Sequence, residues 1–113
     1  MIKGKVVLVP FPFDDLSSTK VRPAVCLTNP IGPYEHIILA FVTSKISRNL
    51  LATDIVLDTT HPDFAASGLH RPSTIRLDHL MTVQKSIIRR ELGELSLETQ
   101  AQIADKLCRL LTE

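Results

Sequence analysis

The sequence contains no tryptophan and one tyrosine, and aromatic residues fill only 4% of its 113 positions. Such scarcity argues against a platform of several aromatic rings on which successive single-stranded bases would stack. An excess of one charge is also missing, since 13 Lys and Arg stand against 12 Asp and Glu for a net charge of +1. No global basic field therefore advertises nucleic acid, and such a partner would have to be met by a local patch. No apolar run approaches the ~20 residues that cross a bilayer. The opening MIKGKVVLVP lacks the long apolar stretch and small-residue cleavage site of a secretory signal, so a cytoplasmic protein without a membrane partner is expected. Cysteine is nearly absent. Cys26 and Cys108 lie far apart in apolar stretches, the pattern of two buried reduced thiols rather than of a disulfide or metal pair.

What is present is an ordinary globular balance, 44% hydrophobic and 22% charged, in a length that suits one domain over residues 1–113. KVVLV, RPAVCLTN, HIILAFVTS and TDIVLD read as four strands, separated by PFPFDDLSSTK, NPIGP and the mixed KISRNLLA. HIILAFVTS is apolar on both faces and so belongs in the middle of a sheet. TTHPDFAASGLHRP reads as a long connection, STIRLDHLMTV as one or two further strands, and Gly93 as a break. One convincing helix follows, with Ser96 as N-cap, Glu98 in the first turn, and Ile103, Leu107, Leu110 and Leu111 on one apolar face. The expected fold class is α+β, mainly β, with five or six short strands in a curled antiparallel sheet and a C-terminal helix.

General catalytic motifs are lacking. His36, His61, His70 and His79 show no metal-ligand spacing, and no Gly-rich phosphate loop or nucleophile elbow occurs. Asp14 and Asp15 sit among turn-forming residues, where aspartate serves the turn more often than a cation. No metal or other cofactor is expected. The positive signal is the placement of cations and hydroxyls at strand ends. Arg22 opens the second strand, and Thr43, Ser44 and Lys45 close the third. If those strands form an antiparallel hairpin about NPIGP, Arg22 and Thr43 become neighbours at one rim of the sheet. A guanidinium beside a hydroxyl offers bidentate and neutral donors to a phosphodiester. Arg76 and Asp78 in TIRLD share one strand face by alternation. The alternative is that these are exposed strand ends carrying solubilising charge and an intra-sheet ion pair.

GKVVLVPFPFDDLSSTKVRPAVCLTN, LAFVTSKI and STIRLDHLMTV, in that order, resemble the MazF/PemK family of bacterial toxin ribonucleases. The similarity runs from Gly4 to about Gly93, with a helix following as in the family. Its most specific parts are the Arg-Pro opening the second strand, the Val-Thr-Ser closing the third, and the Ser-x-x-x-x-Asp of STIRLD. The resemblance implies an SH3-like barrel of five to seven strands, a homodimer, and metal-independent cleavage of single-stranded RNA by attack of its own 2′-hydroxyl. It also implies a cognate antitoxin protein whose disordered tail fills the RNA groove. Position by position, Arg22 and Thr43 match the catalytic arginine and hydroxyl residue. Arg76 and Asp78 match an Arg-x-Asp pair of the plasmid-encoded branch, and Lys20 and Ser44 flank these as substrate-binding candidates. The chain departs from many members in its loop, PFDDLSSTKV in place of a Gly-, Glu- and Gln-rich segment, so sequence preference is not carried over.

Two rival functions keep the same barrel. A gyrase poison of the CcdB type is not an enzyme and works through Trp-Gly-Ile, whereas this chain has Leu-Leu-Thr-Glu there and no Trp. A catalytically silent interaction module would need the core strands but not Arg22 and Thr43 together.

Overall fold

Runs of β-branched and apolar residues form the four strands expected from the sequence: β1 (Lys5–Pro10), β2 (Val21–Cys26), β3 (His36–Thr43) and β4 (Asp54–Leu57). The structure is a computed structural model that describes residues 1–10, 20–45 and 49–113. Asp14, Asp15 and part of KISRNLLA lie outside the described residues. Beyond β4 come α1 (Phe64–Ser67), β5 (Ser73–Gln84), β6 (Arg90–Glu94) and α2 (Leu97–Thr112). All six strands join one antiparallel sheet in the order β4-β5-β3-β2-β1-β6, curled into a half-barrel. The expected mainly β fold with a C-terminal helix is therefore present, with β3 in the interior as its two apolar faces require.

Adjacent residues of a strand point to opposite faces, so each doubly apolar strand feeds two cores. Val6, Val25, Ala40, Val42, Ile75 and Leu77 build the first, closed by Ile103 and flanked by Leu107 of α2. Val7, Val9, Ala24, Cys26, Ile37, Leu39 and Val83 build the second, against which Ile2, Phe41, Met81, Ile87 and Ile88 pack partly buried. The helix covers one face of the sheet. The other face carries the candidate site.

Four expectations need correction. Gly93 is no break: it lies inside β6, where it pairs with Val6. A side chain there would collide with the backbone of Ala66 and Ser67, so glycine lets α1 rest directly on the strand. The long connection after β4 contains that α1 turn, ended by Gly68 in the left-handed region (φ 73°). Cys108 is exposed, so only Cys26 is a buried thiol, and both are free. In α2 the expected cap holds, Ser96 accepting from the Thr99 N–H at 3.2 Å. The apolar face ends early, however, because Leu111 is 78% exposed.

Candidate functional site

Burial along β2 changes abruptly. Val21 and Arg22 are exposed, Pro23 is half-buried, and Ala24 to Cys26 are buried. β2 runs antiparallel to β3 through Ala24↔Phe41, Val25↔Ala40 and Cys26↔Leu39. The pairs end at Ala24↔Phe41, and the same register continued two steps further brings Arg22 opposite Thr43. Alternation places both on the second-core face, with Ala24 and Phe41. The neighbouring strands extend this row, since Arg22 is opposite Val9 of β1 and Thr43 is opposite Thr74 of β5. One row inward on the same face, Phe41 is opposite Arg76, and Arg76 is opposite Asp54 of β4. One end of one sheet face therefore gathers Arg22, Thr43, Thr74, Arg76 and Asp54.

Asp78 joins them through an irregularity. Ala40 pairs with Leu80 but Phe41 with Arg76, so Leu77, Asp78 and His79 are left over as a bulge in β5. Bulges re-aim side chains. Here the Arg76 Nε donates to Asp78 Oδ1 and its Nη2 to Asp78 Oδ2, each at 3.3 Å. From the other side, Asp54 Oδ1 stands 3.1 Å from the same Nε, with its side chain only 4% exposed against 31% for Asp78. The His79 Nε2 lies 3.7 Å from Asp78 Oδ2.

Thr43 Oγ1 accepts from the Lys45 N–H at 3.1 Å, which fixes the oxygen while the hydroxyl keeps its proton as a donor. Ser44, Lys45 and Lys20 are exposed at the same strand ends. Among the described residues, the buried side-chain polar atoms without a hydrogen bond are Asp54 Oδ1 and Thr74 Oγ1, and both belong to this patch. The 3.1 Å approach of Asp54 to Arg76 is therefore an ion pair whose N–H is not aligned as a hydrogen bond. Cys26, further along β2, is no nucleophile: burial, with a smaller push from Glu91, raises its thiol to about 11. Among the described residues no group of three or more His, Cys, Asp or Glu is gathered that could hold a metal ion.

All six candidate residues thus lie on β2, β3 and β5 or immediately beside them. Arg22 is aligned with Thr43, Arg76 and Asp78 are bonded to each other, and Lys20 and Ser44 flank the first pair. Asp54 escaped sequence reasoning, because TDIVLD read only as a strand. Its meaning depends on the residue across the ladder, which no local pattern reveals.

Residues 2–111 match the family described as "PemK-like, MazF-like toxin of type II toxin-antitoxin system". No curated protein matches the chain. Among solved structures, it is similar to the Mycobacterium tuberculosis toxin MazF-mt6, with TM-score 0.70, 22% identity and 95% of each chain covered. A mycobacterial endoribonuclease in complex with its cognate antitoxin superposes with TM-score 0.70 at 16% identity, covering 98% of this chain and 94% of that one. MazF from Deinococcus radiodurans gives TM-score 0.68 at 19% identity, covering 100% and 97%. At these identities the likeness of structures is a likeness of fold.

Proposed function

The chain belongs to the PemK-like, MazF-like toxins of type II toxin–antitoxin systems, and from that premise we propose that it is a metal-independent endoribonuclease acting on single-stranded RNA. The observation that carries this reading is the β2–β3 register, which, continued two residues past its last pair, brings Arg22 opposite Thr43 on the sheet face that α2 leaves uncovered. Arg22 stabilises the charge of the pentacoordinate phosphorane, and the Thr43 hydroxyl donates to a non-bridging oxygen. A guanidinium is no base at neutral pH, so its part is electrostatic. Lys20, Ser44, Arg76 and Asp78 bind the flanking RNA. The solved endoribonuclease–antitoxin complex supports a cognate antitoxin as the protein partner. The enzyme works as a homodimer in the cytoplasm, where its RNA substrate lies. Among the described residues no helix is long and apolar enough to cross a membrane.

The nucleophile is the substrate's own 2′-hydroxyl, already adjacent to phosphorus and needing only orientation and charge stabilisation. Its oxygen bonds to phosphorus as the bond to the 5′-oxygen breaks. The proton lost by the first oxygen is balanced by the one gained by the second. The products are a 2′,3′-cyclic phosphate, or its hydrolysed monophosphate, and a free 5′-hydroxyl. The test is cleavage of a long RNA with and without EDTA, and of a short RNA carrying one 2′-deoxy nucleotide at the mapped cut. Cutting that survives chelator, fails at the deoxy linkage and leaves 5′-hydroxyl ends is expected. Inhibition by chelator, cutting at the deoxy linkage or 5′-phosphate ends would overturn the mechanism, because metal nucleases activate water instead.

A further inference from the structure

Resting on the reading of this face as the RNA site, we propose that Asp54 is a positioning residue that fixes the Arg76 guanidinium for substrate. An arginine on a strand has a long flexible stem, and a donor that wanders loses most of its value for a defined phosphate or base position. Arg76 is held from two sides, but the two holds differ in kind. Asp78 comes from the bulge of Arg76's own strand and is 31% exposed, so water and salt compete for it. Asp54 comes from the neighbouring strand, directly across the ladder, and its side chain is 4% exposed.

Asp54 is itself rigidly placed. Its N–H donates to the Leu51 carbonyl at 3.0 Å, and its Oδ2 accepts from the Leu51 N–H at 2.9 Å, closing a tight turn before β4. Oδ1 is left facing β5, and among the described residues it has no hydrogen bond, only the Arg76 Nε at 3.1 Å. A buried carboxylate oxygen without a hydrogen bond is costly, and the guanidinium is what offsets that cost. A residue serving only the turn would need neither that oxygen nor its burial.

The arrangement also decides how Arg76 acts. Asp78 accepts from the Nε–H and one Nη2 hydrogen while Asp54 pairs with the same side of the guanidinium by charge, which leaves Nη1 and the remaining Nη2 hydrogen outside the Asp78 pairing. With two anions around one cation, Arg76 adds little net positive field. Its contribution is directed hydrogen bonds, and attraction of the phosphate rests on Arg22.

The experiment uses Asp54→Asn, which keeps shape and an acceptor for the Leu51 N–H while removing the charge. Cleavage of a short RNA is measured for the wild type, Asp54→Asn, Arg76→Ala and the double variant, alongside solvent exchange of the Arg76 Nε–H by NMR. Asp54→Asn alone should lower kcat/KM by about ten- to hundredfold. It should cause no further loss in the Arg76→Ala background, since both changes remove one arrangement. The Arg76 Nε–H should exchange faster in Asp54→Asn. Equal losses in both backgrounds, wild-type cleavage by Asp54→Asn, or unaltered Nε–H exchange would each overturn the proposal. A wild type that cuts no RNA removes the nuclease reading alone, and the hold of Asp54 on Arg76 then stands or falls on the exchange measurement.

Discussion

Arg22 shows how one neighbouring residue shapes a site. Pro23 has no N–H to give, and the β2–β3 pairs stop at Ala24↔Phe41, one residue after it. Arg22 and Thr43 thus come opposite each other beyond the last β2–β3 pair, each still paired on its other side with β1 or β5, while Pro23 and the buried run behind it hold the backbone. Because Arg22 is exposed, replacing it should leave the core intact. Arg22→Ala is expected to melt near the wild-type temperature and to lose RNA cleavage by about 10²–10³-fold, the scale for removal of a preorganised electrostatic donor. A folded variant with near-native activity would reject the assignment. The cysteines differ as sharply. Cys26 is 1% exposed with its thiol raised to about 11, whereas Cys108 is exposed on α2. A thiol reagent at neutral pH should modify one cysteine in the native protein and both in denaturant. Rapid modification of two would contradict the packing of β2.

Asp63, at the start of α1, links elements that the sequence leaves 33 residues apart. Its Oδ2 accepts from the Ser96 N–H at 3.0 Å and the Ser96 hydroxyl at 2.9 Å, pinning α1 to the N-terminus of α2. Burial pushes the carboxyl up, but hydrogen bonds from Thr99 and Ser96, together with the charge of His61, outweigh it and hold the group below its ordinary value. The folded value is the lower one, so the stabilisation is present above the ordinary carboxylate range and is lost as pH falls through the folded value. Asp63→Asn should therefore cost about 1–3 kcal/mol at pH 7 in urea denaturation, a gap that narrows toward pH 3. A gap independent of pH would remove the charge from the explanation. Elements of this kind mark the limit of what the sequence discloses. β1 to β4 and α2 were legible because their apolar periodicity and the Ser96 cap are local signals. β6 was not, since RELGE is polar and is held as a strand by its pairing with β1 and by the missing side chain of Gly93. The alignment of Arg22 with Thr43 followed from one hairpin, whereas Asp54 and the bulge that presents Asp78 exist only through the pairings of β5 with β3 and β4.

At the scale of the molecule, the two cores are covered unequally. The first lies under α2, while the second has against it, among the described residues, the partly buried Ile2, Phe41, Met81, Ile87 and Ile88. The second core's own residues are at most 8% exposed, so the apolar surface on this side is that of the partly buried flanking residues, beside a 3-10 turn at Lys85–Ile87. Apolar surface left in this way favours association, and a two-fold dimer is the commonest way for identical chains to bury it. A stable dimer hides about 800 Å² per partner, within the reach of a sheet face with its flanking turn. The candidate site shares that face, so association there would set the two copies of Arg22 and Thr43 beside a common boundary and let one RNA strand run along it. Light scattering on the purified protein at micromolar concentration should then give twice the mass of one chain. Met81→Lys places a charge on the apolar face and should shift the mass toward that of one chain while far-UV circular dichroism stays unchanged. Cleavage should fall in proportion to the dimer lost and recover as protein concentration rises. A wild type that is monomeric at every concentration tested, or a monomeric Met81→Lys protein that cuts RNA at the full rate, would show that the second face serves the single chain alone.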